Sequence, residues 1–145
     1  MAKRKSERFK VLQKLAGKYE ELAAQSLGKS VSNVDAQKSR LAELKQFREE
    51  YTKQFYATGA AGISGAAIQS YQNFISQLDV AIEQQKQTLF AAETDQSQKK
   101  EVWQDKHRTT RIYDKTIEQF TAKETKEKDR REQKEQDDRT HTLKQ

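Results

Sequence analysis

Ile68-Gln-Ser-Tyr71-Gln-Asn-Phe74-Ile75-Ser-Gln-Leu78-Asp-Val-Ala-Ile82 begins a series that decides the fold. Stepped alternately by three and four residues, it visits Ile68, Tyr71, Ile75, Leu78, Ile82, Gln85, Leu89, Ala92, Gln96, Lys99, Trp103, Lys106, Thr110, Tyr113, Ile117 and Phe120; eleven of these sixteen positions are apolar or aromatic. An apolar repeat of mean spacing 3.5 sustained over more than seven heptads marks a coiled-coil helix. It also excludes disorder over this segment, which composition alone would allow. Of 145 residues 34% are charged and 33% hydrophobic, against roughly 25% and 45–50% in ordinary globular domains. Such a chain cannot build a thick core.

Zero prolines and five glycines leave little loop punctuation. Three of the glycines lie in Ala57-Thr-Gly-Ala-Ala-Gly-Ile-Ser-Gly-Ala66, the one strong candidate for a reversal. Before it, apolar residues recur less regularly: Leu12, Leu15, Tyr19 and Leu22, then Ala23, Leu27 and Val34, then Leu41, Leu44, Tyr51 and Phe55. The phase slips near Ala23, with two steps of eleven residues that relax left-handed supercoiling. Gly17 and Gly28 beside the slip predict a bent or softened helix there.

The expectation is an all-α fold, a long antiparallel two-helix coiled-coil hairpin forming one domain over 1–145. Helix 1 is predicted at about 5–56, the turn at about 57–66 and helix 2 at about 67–138. Folding about residue 61 sets Tyr51 near Tyr71, Leu44 near Leu78 and Leu12 near Thr110. The second helix is the longer and must overhang. From Thr121 it carries eight basic and seven acidic residues, a pattern that can hold a solvated helix through i, i+4 pairs or fray over the last ten residues.

Chemistry finds little to work with. Absence of cysteine excludes disulfides and thiolate metal sites. The basic start lacks the apolar run of a secretory signal, and no stretch approaches the ~20 apolar residues of a membrane span. His107 reads as a solvated surface residue. Asp137, Asp138 and His141 make a poor metal site in a charged tail. Gly59, Gly62 and Gly65 lack the Gly-Lys-Ser/Thr ending of a phosphate loop and read as a turn.

Charge is more informative. Residues 1–18 carry Lys3, Arg4, Lys5, Arg8, Lys10, Lys14 and Lys18 against the single Glu7, and this equals the whole net charge of +6. The cluster suits an acidic protein or an anionic leaflet. Nucleic acid is disfavoured, because only Phe9 is interleaved and no groove-reading module is present. Near the turn, Phe47 and Phe74 lie one step off the apolar series and share a flank. They either form a partly exposed binding patch or thicken a narrow seam.

The run Tyr71-Gln-Asn-Phe-Ile-Ser-Gln-Leu-Asp-Val-Ala-Ile-Glu-Gln-Gln85 follows a glycine-rich turn and is preceded by Phe47-Arg-Glu-Glu-Tyr51. In this, and in length, basic start and charged end, the chain resembles the flagellar export protein FliJ family. Close motif resemblance covers about residues 40–90. It implies a helical-hairpin stalk of the flagellar type III export machinery, similar in shape to the rotor stalk of rotary ATPases, with no cofactor and no active site. The implied partners are the export ATPase hexamer, the cytoplasmic domain of the membrane export gate, and export chaperones. The implied location is the cytoplasmic face of the inner membrane at the flagellar base, reached peripherally through partners.

The family's gate-binding face matches Arg40, Leu44, Phe47 and Tyr51 on the first helix and Phe74, Leu78, Ala81 and Gln85 on the second. The helical termini, with the basic cluster, would enter the ATPase ring. Two alternatives stay open: the equivalent stalk of a virulence type III injectisome, and a basic nucleic-acid-associated coiled coil. An enzyme is the weakest reading.

Overall fold

The computed structural model describes residues 4–144. Two helices, α1 (Lys5–Gly59) and α2 (Gly65–Lys144), pack against each other as an all-α hairpin, and there is no strand among the described residues. The chain divides into two units, one drawn from Met1–Ala24 with Val102–Gln145 and the other from Gln25–Glu101.

In α2 the predicted series is the buried one. From Tyr71 to Phe120 every position it visits is buried or half-buried except Lys106, whose place His107 takes. Leu78, Ile82, Ala92 and Ile117 are the most enclosed. Ile68, the first of the series, is 42% exposed.

In α1 the structure corrects the reading. The inward line runs through Ser6, Phe9, Gln13, Ala16, Glu20 and Ala23 in the first unit, and Leu27, Ser30, Val34, Gln37, Leu41, Leu44, Arg48, Tyr51 and Phe55 in the second, with Gly17, Ser26, Thr52 and Gly59 half-buried beside it. The line follows 3–4 steps throughout, so the expected slip near Ala23 does not occur. The bulky Leu12, Leu15, Tyr19 and Leu22 are 43–57% exposed instead. The physical reason lies across the interface, where the inward residues of α1 have partners on α2: Ser6 meets Glu124, Phe9 meets Phe120, Gln13 meets Asp114 and Glu20 meets His107. Thr110, expected beside Leu12, lies beside the Glu20 carboxyl instead, its own hydroxyl donating to the Lys106 carbonyl at 3.1 Å.

Polar residues on the α1 seam are matched by polar residues of α2. Within the first unit the Ser6 hydroxyl donates to Glu124 Oε2 at 2.6 Å, Gln13 Nε2 donates to Asp114, and His107 Nδ1 lies 2.6 Å from Glu20 Oε1. Within the second, Gln85 Nε2 donates to the Gln37 carbonyl at 3.1 Å and to its Oε1 at 2.8 Å, while Arg48 Nε reaches Asp79 Oδ1 at 2.6 Å. No buried side-chain nitrogen or oxygen among the described residues lacks a hydrogen-bond partner. Exposed ion pairs of this kind add little stability. Polar seam pairs instead fix register, since a slip of one heptad would leave each without its partner.

The turn is built by three local devices. Gly62 takes φ +95°, a left-handed conformation that costs a side chain dearly. A Cβ on Gly59 would lie 2.9 Å from Ile63 Cδ1, so its absence lets Ile63 fold back on the end of α1. Ser64 caps α2, its Oγ accepting from the Ala67 amide at 3.2 Å. Gly62→Ala should therefore lower stability by about 1 kcal/mol, whereas Gly28→Ala, with open space around its Cβ, should raise it by about 0.5–1 kcal/mol. Thermal unfolding followed by circular dichroism reads both signs.

Past Glu124, every described residue of α2 is exposed. This stretch, 125–144, is helical over about 30 Å at 1.5 Å per residue. Local pairs such as Arg131 with Glu127, at 3.4 Å, support it.

Candidate functional site

Near the turn, in the second unit, the two helices contribute a run of aromatic rings. Phe55 stacks on Tyr71 with centroids 3.7 Å apart, Tyr71 stacks on Tyr51 at 5.7 Å, Tyr51 meets Phe74 at 4.5 Å, and Phe74 meets Phe47 edge-on at 6.1 Å. One polar end is held too. The Tyr71 hydroxyl donates to Thr52 Oγ1 at 3.2 Å, and Thr52 Oγ1 donates to the Arg48 carbonyl at 2.8 Å. The rings thus have fixed orientations, and the ladder runs from the enclosed seam out to Phe47, which is 48% exposed. A rigid aromatic edge at the surface has the composition of a protein-binding hot spot.

The first unit presents charge instead. Arg4, Lys5, Arg8, Lys10, Lys14 and Lys18 are all exposed, while Ser6, Phe9, Gln13 and Ala16 face α2. Lys3 lies outside the described residues. Beneath the charges, Phe9 packs on Phe120 at 5.2 Å, and Lys5 Nζ stands 5.8 Å from the Phe120 ring centre. Glu124 accepts from both the amide (3.3 Å) and the hydroxyl (2.6 Å) of Ser6, in the first turn of α1. It therefore satisfies one of the helix's orphan amides and complements its dipole from the other helix.

His107, expected as a solvated surface residue, keeps a side chain 40% exposed but is also engaged. Its ring stacks on Trp103 at 5.1 Å, its Nδ1–H donates to Glu20, and Arg111 Nε donates to its Nε2 at 3.4 Å. The hydrogen bond from His107, with the nearby Thr110 hydroxyl second, holds the Glu20 carboxyl below its ordinary 4.5. Those from the Ser6 hydroxyl and, to a lesser degree, the Ser6 amide do the same for Glu124. A carboxyl lowered on folding contributes stability that is complete above its unfolded value and is lost as pH falls through the folded one. The first unit should accordingly loosen as pH drops below about 4.5, seen as rising amide exchange around Ser6 and a change in Trp103 fluorescence. Glu20→Gln should remove most of the Trp103 component.

The family model for the flagellar FliJ protein matches residues 5–143, nearly the whole chain. The chain belongs to the FliJ family. No curated protein and no solved structure matches it. Membership makes it a flagellar export-related coiled-coil protein, a component of the export apparatus. Among its described residues no helix is long and apolar enough to cross a membrane.

In this FliJ-family chain the eight positions expected to meet the gate sort by exposure. Leu78 is buried in the seam at 8% exposure, whereas Leu44, Tyr51, Phe74, Ala81 and Gln85 are half-buried, and Arg40 and Phe47 are exposed. Phe47, Tyr51 and Phe74 are brought into mutual contact. Gln85 is engaged by Gln37, so its amide works between the helices. The sequence reading missed Arg48, Asp79, Gln37 and Glu20. Each is an ordinary polar residue in one sequence, and its meaning comes only from a partner far along the chain.

Proposed function

We propose that the chain is a non-enzymatic stalk of flagellar protein export, binding the cytoplasmic domain of the export gate through the Phe47–Tyr51–Phe74 surface. The observation that carries this reading is the half-exposed Phe47 at the outer edge of a rigid aromatic ladder whose inner rings already hold the helices together. Contact there costs the fold nothing and needs little ordering of side chains on binding.

The second partner in this reading is the export ATPase hexamer, met by the basic residues of the first unit and the single-helix stretch 125–144. Solvated lysines and arginines on a helix give attraction that is long in range, weak per contact and screened by salt. Such a contact can hold without locking one register. Export chaperones are further partners. The peripheral position at the membrane follows from binding to the gate. Calorimetric titration of the full chain against the gate's soluble domain and against the ATPase hexamer tests both contacts. The reading expects salt-sensitive binding to the hexamer and salt-tolerant binding to the gate; no binding to either sinks it.

A further inference from the structure

The first unit carries a second apolar stripe that neither the seam nor the aromatic surface uses. Leu12, Leu15, Tyr19 and Leu22 follow one another at steps of three and four, each 43–57% exposed. Each stands one residue before a seam residue (Gln13, Ala16, Glu20, Ala23), about 100° round the helix. The stripe thus lies beside the seam and shares a groove with α2. Leu12, Leu15, Ala16 and Tyr19 form one bank and Lys106, Thr109 and Tyr113 the other, enclosing about 180 Å³.

Three occupants fit an apolar groove of this kind, and charge separates them. Arg8 precedes the stripe by one turn and Lys18 flanks it, while Lys106 reaches in from the opposite bank with its ammonium 5.7 Å from the Tyr19 ring. A second copy of this chain would set two basic banks against each other. A lipid surface suits a convex apolar face, whereas this one is recessed between residues of α1 and α2. A coiled-coil repeat beside an existing seam offers holes for the knobs of one more helix. We propose that the groove receives an amphipathic helix of another protein, with apolar residues at 3–4 spacing and acidic residues on its flanks, making a local three-helix coiled coil. This requires neither the ATPase nor the gate and stands or falls apart from the stalk reading.

The test titrates the full chain with a synthetic peptide of about three heptads, leucine at the seam positions and glutamate on the flanks, followed by the fluorescence of Trp103. Saturable, salt-weakened binding is expected. It should fall at least about tenfold in Leu15→Asp with Tyr19→Asp, and by a similar factor when lysine replaces the peptide's glutamates. Phe47→Ala with Phe74→Ala should leave it unchanged. Circular dichroism confirms that the aspartate variant is folded, and the milder Leu12→Gln with Leu15→Gln repeats the comparison if it is not. No binding, or binding indifferent to both groove variants, overturns the proposal. Dimerisation of the chain alone that the groove variants abolish would overturn it in favour of a second copy. Groove-dependent binding to phosphatidylglycerol–phosphatidylcholine vesicles without peptide binding would overturn it in favour of a membrane.

Discussion

Leu78→Ala should destabilise the hairpin by about 2–4 kcal/mol, while Leu22→Ala should change stability by no more than about 0.5 kcal/mol. The two substitutions delete the same atoms. Leu78 is 8% exposed and Leu22 57%, so only the first leaves a cavity and forfeits its contacts. At Leu22 the small loss of buried surface is offset by the better helix propensity of alanine. The seam has no room to compensate, because no large side chain among the described residues is fully buried and the enclosed residues form a single narrow line. Thermal unfolding should show Leu78→Ala melting about 5–15 °C lower. Equal effects at the two sites would return Leu22 to the seam and reinstate the slip near Ala23.

That contrast marks where sequence reasoning stops. The α2 series was legible because its seam residues are the large apolar ones, and the 3–4 period follows wherever burial and size coincide. The first third of α1 was misread because they do not coincide there. Leu12, Leu15, Tyr19 and Leu22 make up most of the bulky apolar residues there, yet the seam uses Phe9 with Ser6, Ala16 and Ala23, together with Gln13 and Glu20. The partners that make those polar residues suitable are Asp114 and His107, 101 and 87 residues away. No local pattern reveals them. The aromatic surface was legible because Phe47 and Phe74 stand just off the series on both sides of a glycine-marked turn. The ion pair of Arg48 with Asp79 beside them was not, since both read as ordinary helix-surface charges.

On the proposed gate contact, Phe47→Ala with Phe74→Ala should weaken binding to the export gate's soluble domain by about a thousandfold while leaving helicity nearly intact. Aromatic anchors at the centre of an interface cost about 2 kcal/mol or more each on truncation, and two give about three decades in affinity. Phe74 bridges Tyr51 at 4.5 Å and Phe47 at 6.1 Å, so its loss also removes the rigid backing of the exposed ring. The fold cost is contained. Phe47 is 48% exposed, and Tyr51, Tyr71 and Phe55 still stack without either phenylalanine. Leu78→Ala should behave differently, lowering stability with a smaller effect on gate affinity, since a residue enclosed in the seam reaches a partner only through its neighbours.

The most direct measurement is calorimetry of the gate's soluble domain against two variants in parallel: Phe47→Ala with Phe74→Ala, and Arg8→Gln with Lys10→Gln, Lys14→Gln and Lys18→Gln. If the aromatic surface is the gate-binding face, the second variant binds like the unaltered chain and the first about a thousandfold more weakly. Gate affinity retained by the phenylalanine variant, or lost with the charges alone, would contradict it.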